Sequence, residues 1–167
     1  MFEVGTVVSD LNSPLTRPII EPRPKLMRDV PLTRKDFQRL AELRVREAAA
    51  LLRTRNPVGS YYLSGYAIEC ALKACIAKQA RRHEFPLRPE YVRKQYTHDL
   101  EELLRLADLE QQLKNEMRTN AGLARNWAVV KDWNEESRYR GSGLNGRDLH
   151  EAINGPDGVL AWIKQRW

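Results

Sequence analysis

The stretch "YYLSGYAIECALKAC", Tyr61 to Cys75, is the most apolar part of the chain, yet Glu69 and Lys73 sit in its middle. A lone carboxylate inside a packed protein costs several kcal/mol, so Glu69 must reach water or find cations, hydroxyls or amides. Two arrangements satisfy it. Glu69 and Lys73 are four residues apart in the favourable order for a helical ion pair, which would place this strip at a solvated bundle edge. Alternatively Glu69 lies in a polar recess. On a helix, Tyr66 and Tyr62 share its face one and two turns earlier. Arg44 comes from the inner side of the preceding segment, and Arg138 follows later, with Tyr139 beside it. Guanidinium groups offer planar paired donors that suit a carboxylate. The expected recess is therefore Arg44, Tyr62, Glu69 and Tyr139, closed by Arg138.

Other chemistry-bearing residues form weaker patterns. His83, His98 and His150 lack metal-ligand spacing, and no cysteine or carboxylate cluster supports them, so neither a metal nor a cofactor is expected. No P-loop or GxGxxG is present. Cys70 and Cys75 would point about 140° apart on a helix, which prevents their pairing and suggests two buried thiols. The tryptophans read mainly as core. Lys114, Arg118, Arg125 and Lys131 read as a solvated helix face diluted by Glu116 and Asp132.

The chain has 167 residues, of which 42% are hydrophobic and 30% charged, with a formal net charge of +6. That is the composition of one globular domain, and the basic excess makes an anionic partner such as nucleic acid plausible. The N-terminal "MFEVGTVVSD" has neither a basic n-region nor a long apolar run, and Tyr61–Ala77 is short for a span and carries two costly charges. A cytoplasmic protein with no membrane partner is expected.

These residues must be positioned by helices. Residues 1–32, with the proline-rich "SPLTRPIIEPRPKLMRDVP", read as an extended arm, and 33–167 as the folded domain. Thr33, with Asp36 three residues on, signals the start of a helix over about 34–54. Asn56 and Pro57 start a second, to about 81, apolar nearly all round and therefore surrounded by others. Thr97 is read as the cap of a third helix, "HDLEELLRLADL". The segment "EQQLKNEMRTNAGLARNWAVVKDW" is helical with a break near Asn120–Gly122, its inner side marked by Leu123, Trp127 and Val130. "NEESRYRGSGLNG" reads as a loop. Asn145 caps the last helix, which stops and restarts near Pro156. No strand signal of any strength appears. The expected fold is all-α, an antiparallel bundle of four to five helices with an extended N-terminal arm.

The blocks "LRVREAAALLRTRNPVGSYYLSGYAIECALKACIAK", "THDLEELLRLADL", "WAVVKDWNEESRY" and "LHEAINGPDGVLAWI", in this order, resemble HEPN-domain proteins. The resemblance spans about 34–165, and "GYAIECALKA" is its most specific part. It implies a symmetric homodimer and, in many members, a metal-independent endoribonuclease of toxin–antitoxin or defence systems. It also implies an R-x4–6-H motif whose arginine binds phosphate while the histidine moves protons during attack by the RNA 2′-hydroxyl. Other members lack the motif and act as modules binding a nucleotide or partner protein. Where the motif should stand, "SRYRGSGLNGRDLHEAI" offers Arg138 and Arg140 without a histidine at the right spacing. His150 falls ten residues after Arg140 and three after Arg147. The spacing recurs elsewhere, in Arg93 and His98. The resemblance thus gives Arg138 and His98 as catalytic candidates, Arg138 and Arg140 as phosphate-binding candidates, RNA or a nucleotide as ligand, and an antitoxin-like nucleotidyltransferase as a possible partner.

Overall fold

In the computed structural model, residues 32–80 and 96–167 are described; the N-terminal arm, His83 and Arg93 lie outside them. The described residues form α-helices and one short 3-10 helix, with no strand among them. The helices are α1 (Arg34–Arg53), α2 (Pro57–Ala80), α3 (Leu100–Leu106), α4 (Glu110–Met117), α5 (Ala121–Val130), α6 (Gly146–Asn154) and α7 (Val159–Lys164), with the 3-10 turn at Glu135–Tyr139 between α5 and α6. The all-α expectation holds.

Local chemistry sets most boundaries. Thr33 and Asp36 form the reciprocal capping box at the start of α1. The helix ends where Arg55 adopts a left-handed φ of 60° and Asn56 precedes a proline, which disfavours further helix. Asn120 caps α5 through the Leu123 amide, and Asn145 caps α6 through the Asp148 amide. The expected break near Asn120–Gly122 therefore separates α4 from α5, and the one near Pro156 separates α6 from α7.

Two expectations are corrected. The cap of α3 is Asp99, not Thr97: Asp99 Oδ1 accepts from the amides of Glu101 and Glu102 at 2.9 and 3.0 Å. A carboxylate outranks a threonine hydroxyl there because it answers two free amides with a full charge. Thr97 Oγ1 instead accepts from the Asp99 amide at 3.1 Å. The second correction concerns 135–139, expected as loop, which coils into the 3-10 turn and buries Ser137.

Helix α2 is the axis of the domain. It forms a hairpin with α1 and also meets α3, α6, α7 and the 3-10 turn. Ala67, Ile68, Ala71, Leu72 and Ala74 on it are wholly buried, as an all-round apolar helix requires. Close approach needs small residues. A Cβ on Gly65 would overlap the Trp133 indole, and one on Gly146 would land on the Pro57 carbonyl, so these glycines let α5's tail and α6 sit directly on α2. Both cysteines are free and buried, and burial pushes their thiols up, Cys70 to about 12 and Cys75 to about 11. Among the described residues no helix is long and apolar enough to cross a membrane.

Candidate functional site

Glu69 is 2% exposed, so the solvated alternative fails and the buried one holds, though with different partners. Its Oε1 accepts from Lys73 Nζ at 2.7 Å, one turn on along α2. Its Oε2 lies 2.9 Å from His98 Nδ1. The expected i,i+4 pair therefore exists inside the protein rather than at its edge, the Lys73 side chain being only 16% exposed. The Asp99 cap explains His98. It fixes the start of α3, whose Leu100 is buried against the core, and the residue just before a helix cap commonly packs back against the body. His98 consequently spans the gap between α3 and α2.

The two arginines expected on Glu69 go elsewhere. Arg44 pairs with Glu47 on its own helix and lays its guanidinium over the Tyr66 ring at 5.7 Å. It crosses α2 about one turn too early to reach a carboxylate already held by Lys73 and His98. Arg138 stands on the 3-10 turn with its guanidinium 4.8 Å from the centre of the Tyr139 ring. The hydroxyls of Tyr139 and Tyr62 favour its charged form. Tyr62 stacks on Tyr66, the ring centres 6.1 Å apart and the planes within 12°. Of the expected recess, Arg44, Tyr62 and Tyr139 thus belong to a row of tyrosines and arginines, while Glu69 belongs to a separate Lys73–His98 triad.

A cleft of about 340 Å³ opens at the triad, lined by His98 with Thr97, Asp99, Glu101, Lys131, Asp132, Trp133, Asn134 and Glu135. With a carboxylate on Nδ1, the neutral ring carries its proton there, and Nε2 is the atom able to exchange a proton with a ligand. The cleft carries four carboxylates against one lysine, although Asp99 is spent on the α3 cap and Asp132 pairs with Lys131 at 2.6 Å. Trp133 joins cleft and row: it lines the cleft, and its ring centre is 6.2 Å from that of Tyr62. The fields of Asp132 and Arg140 act oppositely on Tyr61, whose phenol is raised chiefly by burial, so Arg140 lies at this same end of α2.

His150 makes no acid–base site of this kind. Its Nδ1 lies 3.4 Å from the fully buried Ser64 Oγ, and burial pushes the imidazole below its usual range. Lys114 pairs with Glu110 at 2.8 Å, in keeping with a solvated face. Among the described residues no group of three or more histidines, cysteines or carboxylates could hold a metal ion. The Glu69–His98 contact was not foreseen, because the two are 29 residues apart. The one local signal was the Asp99 cap, which puts His98 at the inward-packing position before α3.

No family model, no curated protein and no solved structure matches the chain.

Proposed function

We propose that the chain is an RNA-directed protein of the HEPN kind, acting as a homodimer, in which His98 transfers protons and Arg138 and Arg140 hold phosphate. The observation that carries this reading is the 2.9 Å contact of Glu69 with His98 Nδ1, at a cleft that His98 lines. A carboxylate in that place fixes the tautomer and steadies the imidazolium that forms during catalysis. In the step proposed, His98 Nε2 takes the proton of an RNA 2′-hydroxyl as its oxygen attacks the adjacent phosphorus. The 5′-oxygen leaves and takes a proton from water, which yields a 2′,3′-cyclic phosphate and a 5′-hydroxyl. Arginine at the phosphate meets the charge that develops there. The family resemblance in the sequence supports the partner class, as does the net charge of +6.

The test is cleavage of labelled total RNA in EDTA by the purified protein and by His98→Ala and Arg138→Ala variants. Expected is cleavage with cyclic-phosphate ends, reduced at least 100-fold by His98→Ala, the lower range for loss of a proton-transfer group. A folded dimer that binds RNA and leaves it intact would replace this reading by a second, a non-catalytic HEPN module. The second reading has its own support in the acidic lining of the cleft, since Glu101 and Glu135 repel a phosphodiester brought to His98.

A further inference from the structure

The row beside the cleft has features that proton transfer does not use. Tyr139 is 78% exposed, although a phenol ring of this size ordinarily covers itself against a protein surface. Arg138 takes one face of that ring at 4.8 Å. The 3-10 turn holds the pair outward, because Ser137 just before them is buried and pins the turn to the domain. Behind them Tyr62 and Tyr66 are stacked nearly parallel, Trp133 backs Tyr62, and Arg44 covers Tyr66. Aromatic rings and guanidinium groups thus gather along the N-terminal half of α2 and onto the turn, with Tyr139 at the exposed end. Beyond the turn Gly141 and Gly143 meet nothing where a side chain would stand, so the approach to Tyr139 is open on that side. Among the described residues neither Arg138 nor Arg140 pairs with a carboxylate.

We infer that this row is a stacking platform for unpaired nucleobases, with Tyr139 taking a base on its exposed face while Arg138 and Arg140 meet the flanking phosphates. The inference rests on the RNA reading above and narrows it to single strands. The chemistry favours a base over other flat groups. Every base offers a π-face, the sugar–phosphate chain supplies an anion for two guanidiniums that have no carboxylate partner among the described residues, and aromatic stacking with arginine is how sequence-tolerant single-strand binding is built. A duplex hides its base faces and leaves Tyr139 nothing to stack on.

The test is fluorescence anisotropy in about 0.1 M salt, using a labelled mixed-sequence RNA oligonucleotide of about a dozen nucleotides, single-stranded or annealed to its complement. The proteins are the full chain and its Tyr139→Phe, Tyr139→Ala and Arg138→Ala variants, each checked for helicity by circular dichroism. Expected is single-strand binding weakened about tenfold or more by Tyr139→Ala and little changed by Tyr139→Phe, with the duplex bound more weakly than the single strand. Arg138→Ala should also weaken binding and flatten its salt dependence. Equal losses in the Phe and Ala variants, or a duplex bound as tightly as the single strand, overturn the platform and leave the RNA reading standing. Binding of neither form overturns both. Ring-dependent single-strand binding without cleavage upholds the platform and removes only the proton-transfer role.

Discussion

Glu69→Met removes a carboxylate shared by Lys73 and His98 and leaves an ammonium behind in the interior. At an effective dielectric constant of about 20, charges about 2.7 Å apart attract by roughly 6 kcal/mol. Drawing each ion out of water costs several kcal/mol, so the intact pair contributes little net stability. The asymmetry appears when one partner is lost. Lys73 would then stay in a site where only 16% of its side chain reaches solvent, with no other counter-ion among the described residues but the same desolvation cost. Breaking a buried pair typically costs about 3–5 kcal/mol; because Lys73 is not wholly enclosed, the lower end, about 3 kcal/mol, is expected. His98 adds less, since 40% of its side chain is exposed and can rehydrate. With a urea m-value of about 2 kcal/mol/M, the unfolding midpoint should fall by about 1.5 M. The double variant Glu69→Met/Lys73→Met removes both charges and should return to within about 1 kcal/mol of the parent, so the two changes are strongly non-additive. Equilibrium urea unfolding of the parent, both single variants and the double variant reads this directly. A Glu69→Met shift within about half a kcal/mol, as at ordinary surface sites, would refute the argument, because it would mean that no cation is left stranded.

Three further outcomes follow from the geometry. His150 is held neutral by burial, so its folded pKa lies below the unfolded value of 6.5. The unfolded chain then binds the extra proton first, and the contribution of His150 to stability, full above pH 6.5, declines as pH falls below that value. Midpoints measured from pH 7.5 to 5 should fall less steeply for His150→Gln than for the parent, and parallel curves would remove His150 as the cause. Asp99→Ala should cost about 1 kcal/mol as a lost helix cap, while Thr97→Ala should cost clearly less, and the reverse order in thermal unfolding would restore Thr97 as the cap. Gly65→Ala should destabilise by at least about 1–3 kcal/mol, since its methyl would overlap Trp133, and it should shift the tryptophan emission; an unchanged spectrum with unchanged stability would show that the indole does not rest there.

The sequence by itself determined the helices and much of their ends. The Thr33–Asp36 box, Pro57 at the start of α2, the caps at Asn120 and Asn145 and the break near Pro156 are local events, settled by groups within a few residues of one another. It also exposed Glu69 as a residue that required an explanation, since no favourable burial lacks a counter-charge. Which counter-charge it would find was decided only by the tertiary structure. Arg44 and Arg138 were reasonable donors by type, but their reach depends on where α1 and the 3-10 turn cross α2, and both cross nearer Tyr62 and Tyr66. His98 reaches Glu69 across 29 residues because the Asp99 cap and buried Leu100 fix the angle at which α3 leaves the preceding chain. The pairing of distant side chains is set by such crossing points, which depend on the packing of whole helices and leave no mark in the spacing of residues along any one of them.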